Sequence, residues 1–251
     1  MVARMQKFVI LSYGRCASTL LCRALSEHPR IQAYHEVLGN KIGLRPLVKG
    51  RRCTLEDRAD RFCEETIWSD PPAGKDVAGF KLFHFHAWEN AEQRTIWTHL
   101  QHRSDILKII LKRENLFERF LSSQRMLGTG IIQPPGKNLE EAKQKYNSAR
   151  RLDVKACMAN MNSSYAGMAW VTDTFGAGAM ILSYEQLKGD LQGTLNAAHR
   201  FLGVEEFPST MRITEFGDKP GPDNISNWAQ VVKHFDRTRY RAYFEDYAKP
   251  V

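Results

Sequence analysis

Short apolar runs alternate with amphipathic segments along the chain. Apolar runs bounded by turn residues are typical of strands that are buried on both faces. They predict strands over residues 8–11, 31–34, 77–83, 106–111 and 179–184. Apolar residues at helical spacing predict helices over 18–28, 55–68, 88–102, 115–127, 151–174 and 188–202, with a short helical end after 228. Strands alternating with helices predict an α/β fold with a central, mostly parallel sheet flanked by helices.

The first strand and the first helix meet in a short turn. Backbone N–H groups converge where a helix begins, and the helix dipole adds partial positive charge there, so such a turn favours anions. Arg15 adds a full positive charge, and Ser18 and Thr19 add hydroxyl donors. We therefore predict a loop over residues 12–20 that binds phosphate or sulfate. The alternative from the residues alone is a buried strand followed by a helix with a serine N-cap.

This turn differs from the common nucleotide loops. The Walker pattern needs a second glycine and a lysine directly before the hydroxyl residue, whereas Ala17 precedes Ser18 here. The G-x-G-x-x-G pattern of dinucleotide-binding folds is also absent. An ordinary ATPase and a dinucleotide enzyme are therefore both disfavoured.

Composition narrows the class of protein. The chain has 251 residues, 43% of them hydrophobic and 25% charged, which is typical of an ordinary globular protein and allows a single domain over 1–251. The net charge of +8 suits a polyanionic ligand. Charge alone does not indicate nucleic acid, and no nucleic-acid-binding motif is present, so we expect no nucleic-acid partner.

Cysteine usage and hydropathy indicate the compartment. Five cysteines, without C-x-x-C spacing, predict neither a disulfide framework nor a zinc ribbon. No apolar run is long enough for a membrane span, so we expect a soluble, cytoplasmic protein without integral membrane association. Gly/Pro-rich and charged stretches predict mobile loops near 39–52 and 128–150 and a further loop near 214–228.

Charged and imidazole side chains follow several predicted strands. Ligands of parallel α/β sheets bind at the carboxyl ends of the strands. The residues concerned are those of the 13–19 turn, His35 and Glu36, Lys81, His84 and His86, and Arg113. Arg113 at a strand end, with Ser122 on the next helix, predicts a second anion site, and two such sites suit a ligand phosphorylated at two places.

At these residues the chain resembles a known family, the sulfotransferases that use 3′-phosphoadenosine 5′-phosphosulfate (PAPS). Arg15–Leu21 resembles their 5′-phosphosulfate loop, and Arg113–Ser122 resembles their 3′-phosphate motif. Cys16-Ala17 stands where the family has Ser or Thr followed by Gly, and alanine tolerates a positive φ less well than glycine. His35-Glu36, the strand over 79–83 and the run over 113–116 resemble the bacterial carbohydrate branch, which includes the trehalose and nodulation-factor enzymes.

The resemblance implies a P-loop-like three-layer fold and a site without a metal. The residues that it implies for PAPS binding are Gly14, Arg15, Cys16, Ala17, Ser18, Thr19, Leu20, Arg113, Ser122 and Lys219. Lys219 belongs to the loop near 214–228, which would cover the nucleotide. Ser123 stays open as the alternative to Ser122, because the spacing from Arg113 is one residue longer than in the animal cytosolic enzymes.

The resemblance also implies sulfuryl transfer by in-line displacement, with adenosine 3′,5′-bisphosphate as the leaving product. Glu36 is the first choice for the general base, and His35 and His84 are in reserve because imidazole transfers protons near neutral pH. Arg15 would stabilise the charge that develops on the leaving oxygen. Lys81 would bind the sulfuryl oxygens or the acceptor; alternatively, it extends from a strand end into solvent.

We expect the acceptor to be a hydroxyl of a carbohydrate, a glycolipid or a small metabolite. Three alternatives stay open: N-sulfation of a small amine, a kinase-like phosphoryl transferase, and a non-catalytic protein that binds polyanions. The oligomeric state, monomer or homodimer, is open as well.

Overall fold

Five parallel strands form one sheet in the order β2-β3-β1-β4-β5. They are β1 (Gln6–Ser12), β2 (Ile31–Tyr34), β3 (Val77–Phe83), β4 (Ile106–Lys112) and β5 (Met180–Ser183). All five coincide with the apolar runs of the sequence to within a few residues. The α/β class and the central parallel sheet flanked by helices are thereby confirmed.

The computed structural model describes residues 5–69, 72–129, 150–213 and 224–247. Most of the predicted loop near 128–150 and residues 214–223, with Lys219, lie outside this part of the chain. The chain divides into two compact units. The first is Met1–Glu114 with Gly167–Ile213, and the second is Asn115–Ala166 with Thr214–Val251.

Within the described residues, helices lie at all the predicted places, with one additional short helix after β5 and with differences in the boundaries. They are α1 (Ser18–Glu27), α2 (Ala59–Phe62, continued by a π-helical turn at Cys63–Ile67), α3 (Ala91–His102), α4 (Leu116–Thr129), α5 (Val154–Phe175), α6 (Tyr184–Gly189), α7 (Leu191–Phe201) and α8 (Trp228–Phe235). The single helix predicted over 188–202 is wrong. The chain breaks at Asp190, whose side chain accepts a hydrogen bond from the Gly193 N–H, because aspartate favours the N-cap position over a helix interior.

The centre of the sheet is closely packed. Phe8, Val9, Ile10 and Leu11 of β1 are fully buried, as expected of a central strand covered on both faces. Gly79 of β3 pairs with Phe8. A Cβ atom at Gly79 would lie 2.4 Å from the Phe8 carbonyl oxygen, so only glycine allows this approach.

The strand order creates a switch point between β1 and β4, which are neighbours in the sheet. The chain leaves β1 towards β2 at one edge and leaves β4 towards β5 at the other edge. Where the outgoing connections of adjacent parallel strands diverge, a crevice forms at the strands' carboxyl ends, and ligands of open α/β sheets bind there. The predicted anion-binding turn follows β1, and Arg113 follows β4.

The second unit contains α4, part of α5, α8 and the 3₁₀-helical segment Arg241–Tyr247. Its core is aromatic, with Phe117 and Phe235 lying against Phe244. The Asn227 side chain makes two hydrogen bonds with the backbone of Leu152. It accepts from the Leu152 N–H at 2.9 Å and donates to the Leu152 carbonyl oxygen at 3.0 Å. Within the described residues, no helix of either unit has the length and apolar character needed to cross a membrane.

Candidate active site

The turn after β1 has a backbone shaped to bind an anion. Arg15 and Ala17 have left-handed conformations, with φ of 71° and 63°. Gly14, which precedes Arg15, and Cys16, which lies between the two, do not have positive φ. Alternating left-handed residues are typical of turns whose successive backbone N–H groups converge on a phosphate-like group. Helix α1 begins directly afterwards at Ser18, so its N-terminal N–H groups lie beside the turn.

The side chains of the turn differ in their accessibility. Cys16 is buried, and its Sγ lies 3.9 Å from the Gly14 carbonyl oxygen, so the thiol belongs to the interior of the turn. Ser18 is buried as well, at the first position of α1. Leu20 is partly buried in the first helical turn. The turn offers an anion mostly backbone N–H groups, with Arg15 and Thr19 as its accessible polar side chains.

Lys81 joins this turn to a carboxylate. Its Nζ donates a hydrogen bond to Thr19 Oγ1 at 2.7 Å and lies 2.9 Å from Glu36 Oε1. Lys81 is only 2% exposed, whereas the Glu36 side chain is 41% exposed. The structure thus brings together three predicted site residues from α1, β3 and the segment after β2. It also shows that Lys81 does not extend into solvent.

His86 completes the surroundings of the carboxylate. Its Nε2 lies 3.8 Å from Glu36 Oε2, and the ring is buried. The Phe83 N–H points to Nδ1 at 3.4 Å, which places the His86 proton on Nε2, facing Glu36. Burial is the largest cause that lowers the pKa of His86 to about 4, opposed by the nearby Glu36 charge. His86 is therefore a neutral imidazole next to Glu36, too far away for a direct hydrogen bond at 3.8 Å. The sequence did not reveal this proximity.

The two reserve histidines have different surroundings. His35 is half-buried, and burial followed by the Lys81 charge lowers its pKa. His84 packs edge-on against Tyr13, with ring centroids 6.3 Å apart. A Cβ atom at Gly167 would lie 2.3 Å from His84 Nδ1, so this glycine lets α5 approach the imidazole closely. His84 therefore lies beside the start of the turn, in contact with α5.

Tyr13 connects the turn to the end of β4. Its hydroxyl donates to the Arg113 carbonyl oxygen at 2.8 Å and accepts from the Arg113 N–H at 3.2 Å. The Arg113 guanidinium lies over the Tyr184 ring, 4.1 Å from its centroid. Arg15 and Arg113 thus follow neighbouring strands whose ends are linked by one hydroxyl. Neither tyrosine was predicted, although Tyr13 stands within the turn motif itself.

Ser122, Ser123 and Lys219 are the remaining predicted residues. Ser122 belongs to α4 of the second unit, and Ser123 on the same helix donates its hydroxyl proton to the Arg119 carbonyl oxygen. Lys219 is outside the described residues. Within the described part of the chain, no group of three or more His, Cys, Asp or Glu side chains is placed to hold a metal ion.

The predicted basic loop over 39–52 is organised by a buried arginine. Arg45 is 1% exposed, and it donates from Nε to the Gly39 carbonyl oxygen at 2.6 Å and from one terminal nitrogen to Gln93 Oε1 at 2.9 Å. The Gly39 N–H in turn donates to the Glu36 carbonyl oxygen at 3.1 Å. Arg45 therefore supports the backbone next to Glu36, and it is not available to a ligand.

Two aromatic rings are exposed near the carboxylate. The Phe85 ring lies 4.9 Å from the His86 ring, and Trp88 donates its indole N–H to the His84 carbonyl oxygen at 2.8 Å. Both side chains are 44% exposed. Ala87 between them has a φ of 60°, so this turn too contains a strained non-glycine residue.

Among the comparisons with known proteins, only the one with solved structures found matches. No family model and no curated protein matches the chain. Among solved structures, the chain is similar to a sulfotransferase from Alicyclobacillus acidocaldarius, with 19% sequence identity and a TM-score of 0.48. The alignment covers 94% of this chain and 95% of that one.

Proposed function

We propose that this protein is a sulfotransferase that transfers a sulfuryl group from PAPS to a hydroxyl of a carbohydrate, a glycolipid or a small metabolite. The observation that carries the proposal is the contact chain from Thr19 through Lys81 to Glu36. It connects an anion-binding turn to a half-exposed carboxylate at the carboxyl edge of the sheet. A transferase needs this pairing, because the donor's anion and the acceptor's proton must be handled at adjacent places.

The residues of the turn fit the phosphosulfate of PAPS. Alternating φ signs, an uncapped helix N-terminus, the Arg15 charge and the Thr19 hydroxyl supply donors without an acidic residue in residues 13–20. Bound PAPS would supply the sulfuryl group and depart as the bisphosphate. We assign its 3′-phosphate to Arg113 and Ser122, and assign Lys219 to the covering loop. Guanidinium groups bind phosphate through paired hydrogen bonds.

Glu36 would accept the proton of the acceptor hydroxyl. One carboxylate oxygen lies 2.9 Å from the Lys81 ammonium and the other 3.8 Å from His86 Nε2, so Lys81 anchors the group at an accessible place. Lys81 would also neutralise charge on the transferred group, since its Thr19 contact places the ammonium next to the turn. His86 acts here as a positioning residue.

The exposed rings of Phe85 and Trp88 support a carbohydrate acceptor. Aromatic rings pack against the C–H faces of sugars, and these two lie next to the histidines at the carboxyl end of β3. We also propose a cytoplasmic location, which the five cysteines without C-x-x-C spacing favour.

A thermal-shift panel tests the donor. Adenosine 3′,5′-bisphosphate should raise the melting temperature more than adenosine 5′-phosphate, because only the former engages both anion sites. Arg113→Ala should remove most of this difference. A shift with ATP and magnesium that exceeds the shift with the bisphosphate would instead indicate a phosphoryl transferase. Binding of acidic polymers without any nucleotide shift would indicate a non-catalytic polyanion binder.

Glu36→Gln tests the base. Transfer of radiolabelled sulfate into carbohydrate acceptors should fall by about 10²–10⁴-fold, the usual contribution of a general base, while the bisphosphate still raises the melting temperature. Glu92→Gln, at an exposed position in the first turn of α3, removes the same charge and should leave transfer unchanged. Full activity of Glu36→Gln would refute the assignment of the base.

A further inference from the structure

The second unit contains a pocket that the proposed function does not use. Three tyrosines and one arginine line it: Tyr165 of α5, Arg239, Tyr240 and Tyr243. Its volume is about 440 Å³, within the range of sites that hold a small molecule. All four residues belong to the same unit, so the pocket is a property of that unit alone.

The wall of this tyrosine pocket is fixed by contacts within the unit. The Tyr240 hydroxyl donates to Asn162 Oδ1 at 2.7 Å, and the Tyr240 ring is buried. The Tyr243 ring is stacked on it, with centroids 5.8 Å apart and an interplanar angle of 26°. Aromatic walls that are held in place before a ligand arrives lose little conformational entropy on binding.

The opposite side of the pocket combines a ring with a charge. Tyr165 is 48% exposed, although it is a large aromatic residue. The Arg239 guanidinium carbon lies over the Tyr165 ring, 4.6 Å from its centroid. Stacking covers a face of the guanidinium and leaves the N–H groups at its edge able to bind an anion in a bidentate manner.

No carboxylate of the described residues lies within ion-pair distance of Arg239. From 233 to 241 the segment carries Lys233, Arg237, Arg239 and Arg241 against Asp236, and Glu245 and Asp246 follow Tyr243. Asp236 lies 3.7 Å from Arg241, so the charges of these two side chains partly offset each other. Among the described residues, the printed contact of the Arg239 guanidinium is the one with the Tyr165 ring.

We propose that the tyrosine pocket binds a small ring compound with an anionic substituent. The flat face of the ring would lie on the tyrosines, and a carboxylate, phosphate or sulfate would pair with Arg239. An aromatic acid and an acidic sugar share this chemistry. The site is distinct from the anion-binding turn of the first unit, and its occupation requires no sulfuryl transfer.

Isothermal titration of the whole protein without nucleotide tests this site. The probes are benzoate and glucuronate, with benzyl alcohol and glucose as their neutral counterparts. An anionic probe should bind at least about tenfold more tightly than its neutral counterpart. Preference for benzoate would identify an aromatic acid, and preference for glucuronate would identify an acidic sugar.

Two matched variants separate the pocket from general charge attraction. Arg239→Gln should weaken binding of the preferred probe at least about tenfold. Arg237→Gln, an equal loss of charge at an exposed position two residues away, should change it less than about twofold. Tyr165→Phe should retain binding and Tyr165→Ala should lose it, because the ring and not the hydroxyl supplies the stacking surface.

The proposal is overturned by any of three results. No detectable heat for either anionic probe would show that the pocket is not a binding site for this class. Equal affinity for charged and neutral probes would remove the role of Arg239. An equal effect of the two arginine substitutions would show that binding follows net charge and not the pocket. Thermal melts of each variant identify any loss of fold.

Discussion

Lys81 shows how a single buried charge defines the candidate site. A buried ammonium is costly unless it is paired, and here the Thr19 hydroxyl and the Glu36 carboxylate compensate for its burial. Its position within β3, opposite Ile10 of β1, fixes the point from which the ammonium reaches both groups. The sequence alone left open whether this lysine extends into solvent, because burial of a strand residue depends on what packs over the strand.

Lys81→Met tests this role. Methionine has a similar volume and removes the charge, and the half-exposed Glu36 can then be solvated, so we expect the stability to change by less than about 1 kcal/mol. The transfer rate should fall by about 10²–10³-fold, as is usual when a charge that stabilises a transition state is lost. Sulfate transfer and urea unfolding measure the two effects.

Lys108→Met is the matched control for that substitution. Lys108 is a partly buried lysine of β4 whose Nζ donates to the Arg103 carbonyl oxygen at 2.5 Å, at the opposite end of the sheet. Its removal should leave transfer unchanged. Equal losses of activity in the two variants would mean that Lys81 acts through general stability and not through the site.

At the scale of the element, the junction between β1 and α1 depends on a left-handed alanine. Ala17 precedes α1 with φ 63° and ψ 20°. This conformation costs an L-residue about 1–2 kcal/mol, and such strain persists where the surrounding structure enforces it. The sequence showed that alanine stands where similar loops have glycine, and the structure shows that the backbone keeps the shape that glycine would favour.

Ala17→Gly should therefore raise the free energy of unfolding, by up to about 1 kcal/mol, despite the extra entropy that glycine gives the unfolded chain. Ala24→Gly should lower it by about 1 kcal/mol or more, because Ala24 is buried within α1, where glycine is unfavourable. Urea unfolding of both variants measures the difference. A loss of stability in Ala17→Gly would show that the turn is not strained at this position.

At the scale of the whole molecule, the sequence predicted the sheet better than the site. The five strands are continuous apolar runs, and burial of parallel strands on both faces makes such runs conspicuous. Glu36 and Lys81 were predicted individually, but their pairing depends on the order of β2, β3 and β1, which local periodicity does not encode. Arg45 was assigned to a mobile basic loop, because nothing in its neighbours indicates that Gln93 and several carbonyl oxygens surround it. The burial of Arg45 depends on tertiary contacts, such as the one with Gln93, which is distant in the sequence.

Buried histidines make the stability of the whole molecule depend on pH. Burial is the largest cause that lowers the pKa of both His86, to about 4, and His199. The unfolded chain takes up these protons near pH 6.5, whereas the folded chain does not, so acid favours unfolding. The free energy of unfolding should fall as the pH drops from about 6.5 to about 4, by roughly 2–3 kcal/mol for His86 alone.

Urea unfolding at pH 7.5 and pH 4.5 measures this loss, and His86→Gln identifies its source. Glutamine keeps an N–H group that can face Glu36 but does not ionise in this range, so the variant should lose less stability on acidification than the natural protein. His102→Gln, at an exposed position at the end of α3, should keep the natural pH dependence. If His86→Gln and the natural protein lose stability equally, His86 is not held neutral by burial. The neutral state of His86 next to Glu36 would then have to be abandoned as well.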